Sequence, residues 1–329
     1  MTISLLMYDK GLERIGERLG ALGLDVVLST FDRDCTILTG GEAVSPESAS
    51  FDYVWLSTDI SRDGIIGDAF ALMERLKSVD VLQTFNAGLD HPFYKRMVDK
   101  GTRVANSSAQ GIAIAEYTLG QVMSVLQPIE EQRAMQARRE WKLTPFREIS
   151  ETHWLVLGYG PIGRAITRRV KAFDARVTVV RRSMGGDGVA DAYATAGDLY
   201  RHVGQADVVV VACPLTSETR GMVGAKFFSH MKAGTILVNV ARGGLIEDEA
   251  LLAALDSGQV ATAILDVFAT EPLPPDDAYW GHPRVRLTSH TSFSGSGVGG
   301  RWDALFLDNI SRYAKGEPLQ NIVAAETLA

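Results

Sequence analysis

Short apolar runs alternate with amphipathic stretches along the first hundred residues. Ile3–Met7, Leu24–Leu28, Tyr53–Leu56 and Val81–Phe85 are runs of strand length, while Leu12–Leu22 and Ile66–Lys77 carry apolar residues at helical spacing. Strands interleaved with helices predict βαβ units and a parallel sheet. Ala109–Arg139 reads as one long helical stretch with a kink at Pro128, whose ring removes a backbone donor. From Thr152 the alternation restarts. Strands are predicted at His153–Leu157, Arg176–Val180, Asp207–Ala212, Thr235–Val240, Ala261–Asp266 and Arg284–Thr288. Helices fit between them at Pro161–Phe173, Lys226–Met231 and Asp248–Ser257. Val208-Val209-Val210-Val211 shows no polar alternation, as a strand covered on both faces should. The class is therefore α/β, with a doubly wound parallel sheet. After His290 come a glycine-rich segment and a helix around Trp302–Ala314 without strands of their own, so this tail must pack on something built earlier.

Composition narrows the class. The 329 residues suit two domains at roughly 100–200 residues each. A hydrophobic share of 46% excludes a disordered chain. The net charge of −7, from 33 basic and 40 acidic side chains, lacks the basic footprint of a nucleic-acid binder. Cys35 and Cys213 are the only cysteines, which excludes a disulfide framework and a thiolate zinc site and suits a reducing cytoplasm. The first residues have no basic n-region, and no apolar run approaches the roughly 18 residues of a membrane span. A cytoplasmic protein with no nucleic-acid or membrane partner is expected. His91, His153, His202, His230 and His282 show no H-x-H or H-E-x-x-H pairing, so no metal site is expected. Trp141 and Trp154 flank the entry to the second strand set and need no functional explanation.

The chemistry begins at Gly158-Tyr159-Gly160-Pro161-Ile162-Gly163, between a predicted strand and a predicted helix. In that context Gly158 permits a tight turn, Gly160 lets a pyrophosphate approach the backbone, and Gly163 lets the helix lie close on the strand. Pro161 suits the first helical position, and the free N–H groups there favour phosphate. A dinucleotide cofactor is implied. NAD sites place a carboxylate at the end of the second strand for the ribose 2′-hydroxyl. Here that strand ends in Arg181-Arg182-Ser183, and Asp187 comes only later. Two guanidiniums and a hydroxyl suit a 2′-phosphate, favouring NADPH. The alternative is a solvated basic turn beside an NAD(H) site.

Arg242, Glu271 and His290 each follow the carboxyl end of a predicted strand, the edge where open α/β sheets bind ligands. Each alone could be solvated or structural. Together they supply what hydride transfer to a 2-keto acid needs: a cation for carboxylate and ketone oxygen, a proton donor, and a carboxylate that keeps the donor charged.

With these residues in place, the chain resembles the D-isomer-specific 2-hydroxyacid dehydrogenases over nearly its whole length. Leu157–Gly163, Cys213-Pro214-Leu215-Thr216, Asn239–Gly243, Asp266–Leu273 and Gly316-Glu317-Pro318-Leu319 are similar to that family's segments in its order. The resemblance implies that Arg242 binds substrate, that Glu271 and His290 form the acid–base pair, and that Asn86-Ala87-Gly88 offers backbone N–H groups to the substrate carboxylate. Around the cofactor it implies the 158–163 turn, Arg181–Ser183, Cys213, Pro214, Thr219, Val240, Ala241, Asp266, Arg242 and His290. It further implies a Rossmann nucleotide domain (103–290) inserted in a flavodoxin-like substrate domain (1–102 plus 291–329), with the helical stretch from Ala109 as hinge and homodimer contact. Arg181-Arg182-Ser183 is similar to the NADPH-using glyoxylate and hydroxypyruvate reductases. The family usually begins a small-residue helix just after the histidine. Here 294–300 is Ser-Gly-Ser-Gly-Val-Gly-Gly, which reads as a flexible segment beside the site, with Phe293 facing the pocket or the hinge. Two rivals share the scaffold. A formate dehydrogenase-like enzyme would carry glutamine where Glu271 stands, and an NAD(P)H-sensing regulatory protein would need a docking tail that is not evident.

Overall fold

The computed structural model describes residues 2–325. The chain divides into two units, one running to Ala109 and resuming at Ser296, the other spanning Gln110–Gly295. The first is built from β1 (Ile3–Tyr8), α1 (Asp9–Gly20), β2 (Val26–Phe31), β3 (Ile37–Thr39), β4 (Glu42–Val44), β5 (Ser50–Leu56), α2 (Asp59–Arg62), α3 (Ile66–Arg75), β6 (Ser78–Thr84), α4 (Pro92–Asp99) and β7 (Arg103–Ala105). Its sheet runs β4-β3-β2-β1-β5-β6-β7. The five strands from β2 to β7 are parallel, in the strand order of flavodoxin-like folds. The expectation of a purely parallel sheet is corrected at one edge, where β3 and β4 add an antiparallel hairpin to β2. Three-residue strands are too short to display alternation. Their turn was nevertheless written in Gly40-Gly41, whose φ angles of 60° and 89° suit a two-residue hairpin loop.

The second unit comprises α5 (Gly111–Leu126), α6 (Ile129–Ala137), β8 (His153–Leu157), α7 (Pro161–Lys171), β9 (Arg176–Val180), β10 (Ala192–Ala194), α8 (Leu199–Val203), β11 (Val208–Val211), α9 (Ala225–His230), β12 (Thr235–Asn239), α10 (Asp248–Asp256), β13 (Val260–Leu265) and β14 (Val285–Leu287). All seven strands are parallel in the order β10-β9-β8-β11-β12-β13-β14, with the reversal between β8 and β11. Alternate residues serve opposite cores. Leu155, Val209, Leu237 and Leu265 join one cluster, whereas Trp154, Val156, Val208, Val210 and Ile264 join the other. The valine run thus lies in a sheet covered on both faces. The long helical stretch is two helices rather than one kinked helix. Gln127 turns extended (ψ 130°) before Pro128, as a residue preceding proline is driven to do.

The tail returns to the first unit as α11 (Val298–Lys315). Phe306 stacks on Trp55 with ring centroids 4.3 Å apart and shares a core with Ile3, Leu5 and Tyr53. The flexible segment expected at 294–300 is corrected: Gly299 and Gly300 lie in the first turn of α11, so the irregular stretch ends at Gly297. Among the described residues, no helix is long and apolar enough to cross a membrane.

Candidate active site

The glycine turn sits at the reversal of strand order, where the chain leaves β8 beside the end of β11. Gly158 has φ +103°, and a Cβ there would stand 2.6 Å from the Ala212 carbonyl oxygen and 2.7 Å from the Cys213 nitrogen. At Gly163 a Cβ would overlap the Gly158 carbonyl, so the helix can lie this close only on a hydrogen. Gly160 differs: it is the N-cap of α7, and no atom lies within 4 Å of where its Cβ would be. That open space lies beside the free N–H groups at the start of an 11-residue helix with Pro161 in its first turn. The arrangement fits a pyrophosphate. Tyr159 and Ile162 complete the turn, the former buried and the latter half-buried.

The loop after β11 backs this turn. Burial pushes the Cys213 thiol up to about 11, and its Sγ lies 3.8 Å from Met222 Sδ. Thr219 Oγ1 donates to the Pro214 carbonyl at 2.7 Å and accepts from the Thr216 N–H at 2.8 Å, so its hydroxyl shapes the loop itself. After β9, Arg181 is half-buried and donates from Nη1 to the Gly185 carbonyl at 3.0 Å, while Arg182 and Ser183 are exposed. Sequence reasoning missed the companions of Tyr159, namely Arg164, Asp187 and Tyr193. Asp187 lies on the exposed loop seven residues past the end of β9, beyond the position where a ribose-binding carboxylate is expected.

Three strand-end loops carry the remaining candidates. His290 Nδ1 lies 2.8 Å from Glu271 Oε2, and Glu271 Oε1 accepts from the Phe268 N–H at 2.9 Å. The carboxylate thereby fixes the imidazole tautomer and leaves Nε2 for a substrate. His290 itself adopts a left-handed backbone (φ 47°). Its conformation is held by Asp266, whose fully buried carboxylate accepts from Thr288 Oγ1 (2.5 Å), the Thr291 N–H (2.8 Å) and the Ser292 N–H (2.9 Å). The Tyr117 hydroxyl extends this chain to Thr288 at 2.7 Å. Phe293 meets the His290 ring edge-on at 5.9 Å. Arg242 follows β12 past the buried residues Val240 and Ala241. The Asn239 side chain spans its turn, donating to the Arg242 carbonyl and accepting from the Ala241 N–H. A Cβ on Gly243 would overlap the Phe268 and Ala269 backbone. The Arg242 and Glu271 loops are therefore in direct backbone contact.

In the first unit, Asn86, Ala87 and Gly88 follow β6. The Asn86 carbonyl accepts from the Ser107 N–H at 2.8 Å, and the Ala87 carbonyl from Asn106 Nδ2 at 2.7 Å. In a trans peptide the N–H lies opposite the carbonyl. The Ala87 and Gly88 N–H groups therefore point away from Asn106 and Ser107, as a pair of donors. Asn86 Nδ2 is turned aside to the Tyr94 hydroxyl at 2.6 Å, and Trp302 Nε1 steadies the Phe85 carbonyl at 3.0 Å. Among the described residues, no group of three His, Cys, Asp or Glu side chains could hold a metal ion.

Residues 119–292 match the family model described as D-isomer specific 2-hydroxyacid dehydrogenase, NAD binding domain. The chain is 32% identical over 224 residues to glyoxylate/hydroxypyruvate reductase A of Serratia proteamaculans, covering 66% of this chain and 70% of that one. It also matches D-3-phosphoglycerate dehydrogenase of Bacillus subtilis at 29% over 255 residues, 77% of this chain, but spans only about half of that protein (48%). The fold is similar to the crystal structure of a D-isomer specific 2-hydroxyacid dehydrogenase from Xanthobacter autotrophicus in complex with NADPH and MES (TM-score 0.79, 24% identity, 99% of each chain). With its nucleotide turn at the sheet reversal and a His–Glu pair on the same strand-end edge, this chain belongs to the D-isomer-specific 2-hydroxyacid dehydrogenase family of NAD(P)-dependent oxidoreductases.

Proposed function

We propose that the chain is an NADPH-preferring reductase of small 2-keto acids, of the glyoxylate and hydroxypyruvate type, forming D-2-hydroxy acids. The observation that carries this reading is the 2.8 Å pair between His290 Nδ1 and Glu271 Oε2. The carboxylate engages one ring nitrogen and leaves Nε2 to serve as the proton donor to the ketone oxygen. Arg242 holds the substrate carboxylate and lies beside the oxygen as it gains charge. The Ala87 and Gly88 N–H groups, with the Asn86 turn behind them, are donors suited to a carboxylate. A bound nicotinamide cofactor supplies the hydride. The 158–163 turn, the loop from Cys213 and Pro214 to Thr219, and Val240–Ala241 form its cradle, while Arg181, Arg182 and Ser183 receive the 2′-phosphate. In this reading the second unit binds nucleotide and also carries Arg242, Glu271 and His290, which act on the substrate. The NADPH held by the Xanthobacter protein and the name of the Serratia relative support the same reading.

The test is NADPH oxidation against glyoxylate and hydroxypyruvate, repeated with NADH. Turnover with NADPH should exceed that with NADH, and a reversed ratio overturns the preference. His290→Gln should abolish reduction while leaving NADPH binding intact; a variant that still turns over removes His290 as the acid. Arg242→Ala should lower kcat/KM by about 3 kcal/mol or more, as loss of a charged transition-state contact does.

We also infer a homodimer. Trp141, Leu143 and Phe146 lie exposed between α6 and β8, three large apolar side chains that a second copy would cover. Light scattering should give twice the chain mass, and Trp141→Ser with Leu143→Ser should give monomers. A monomeric parent protein overturns the inference.

A further inference from the structure

The polar cluster behind the glycine turn belongs to no step of the reduction. The Tyr159 hydroxyl donates to Asp187 Oδ1 at 2.6 Å, and Tyr193 on β10 donates to the same oxygen at 2.7 Å. Two guanidiniums lie against the Tyr159 ring, with the Arg164 and Arg181 Cζ atoms 5.2 and 5.8 Å from its centroid. Arg164 is also tied through Nε to the Tyr159 carbonyl at 3.3 Å, as Arg181 is through Nη1 to Gly185. Each of these bonds takes one of the five N–H groups that a guanidinium carries. Within residues 181–190, Asp187 is the only carboxylate.

We propose that Tyr159 is a cofactor-specificity residue. Its ring is the platform that holds Arg164 and Arg181 as a pair for a ribose 2′-phosphate. Its hydroxyl, with that of Tyr193, ties down Asp187, the only carboxylate within residues 181–190. The inference deepens the NADPH reading and rests on it. Arg164, one residue past the last glycine of the turn, thereby joins the anion site from the α7 side. Asp187 acts through Tyr159 as a positioning residue: it joins the turn after β8 to the loop after β9, so the two arginines keep their spacing. A cation on an aromatic face loses little mobility cost when it is already seated there.

The experiment compares Tyr159→Phe, Arg164→Gln, Asp187→Ala and Arg181→Ala with the parent enzyme. It measures kcat and KM with NADPH and with NADH, and calorimetric binding of 2′,5′-ADP and 5′-AMP. Tyr159→Phe should raise the NADPH KM and weaken 2′,5′-ADP about fivefold, the order of one hydrogen bond. The loss should fall on KM rather than kcat, with 5′-AMP and the NADH KM little changed. Arg164→Gln should weaken 2′,5′-ADP by more than 5′-AMP. Asp187→Ala, on an exposed loop, tests the same bond from its other end should Tyr159→Phe fail to fold, with the same expected loss of 2′,5′-ADP. If Arg181→Ala lowers the NADPH preference but the other three leave it unchanged, this inference is overturned and the NADPH reading stands. If Arg181→Ala leaves the preference unchanged, both fall. An equal loss of 5′-AMP and 2′,5′-ADP in Tyr159→Phe also overturns it, because that pattern marks general distortion of the turn.

Discussion

At the scale of single residues, the site depends on groups that do no chemistry. Asp266 is buried with three donors on its carboxylate, and those donors come from the residues that flank His290. Asp266→Asn would turn an NH2 toward at least one N–H and leave a buried donor unpaired. The expected cost is on the order of 1–3 kcal/mol in urea unfolding, with a parallel fall in kcat as the left-handed turn at His290 relaxes. Unchanged stability and turnover would show that Asp266 does not hold the turn. Gly158→Ala meets both a positive φ and the Ala212 carbonyl, and should cost about 2 kcal/mol or more and abolish cofactor binding. Gly158, Arg242, Glu271 and His290 stand out in the sequence because each follows the carboxyl end of a strand. Asp187 does not, because the contact that engages it comes from a tyrosine 28 residues earlier, and single-sequence offsets carry no record of such pairings.

At the scale of elements, strands long enough to show their pattern were legible, as was three-residue β14, whereas β3, β4, β7 and β10 were not. The predicted strand at Leu24–Leu28 lies two to three residues early of β2, because Leu24 is apolar but precedes the ladder that starts at Val26. β7 and β10 have three residues each and no visible period. The β3–β4 hairpin offered its glycine pair instead of a period. Gly40→Ala and Gly41→Ala should each cost about 1–2 kcal/mol by thermal unfolding, the penalty of a side chain at left-handed φ. On β8, His153 is buried with Nε2 2.8 Å from Thr178 Oγ1, and burial, then Arg176, lowers its pKa. A neutral histidine preferred in the fold penalises the folded state once pH drops below the unfolded value, near 6.5. Stability should therefore fall with acid below about pH 6.5, and His153→Gln should flatten that limb of the curve. An identical acid limb in the variant would remove His153 as its cause.

At the scale of the molecule, the alternation of elements was enough for parallel α/β sheets, since topology rules leave few ways to wind them; the insertion of one unit in the other came from the family resemblance. The return of the tail followed from its lack of strands, but its partner surface did not, because aromatic stacking between Trp55 and Phe306 leaves no periodic trace. Phe306→Ala should destabilise the first unit by about 3–5 kcal/mol, read from Trp55 fluorescence during urea unfolding. Removing the segment from Ser296 onward should leave Gln110–Gly295 protease-resistant while the first unit is digested. Equal resistance of both units would show that α11 adds little to that core.

Because α11 closes the core that β1 opens, the order of manufacture differs from the order of completion. A ribosome emits the first sheet before the second, yet the apolar wall that Phe306 and Ile310 supply emerges only after the second sheet. The nucleotide-binding half, encoded wholly between those events, can finish while its predecessor still waits with Tyr53 and Trp55 uncovered. Chaperone demand during synthesis should thus concentrate on the first unit while it waits for α11.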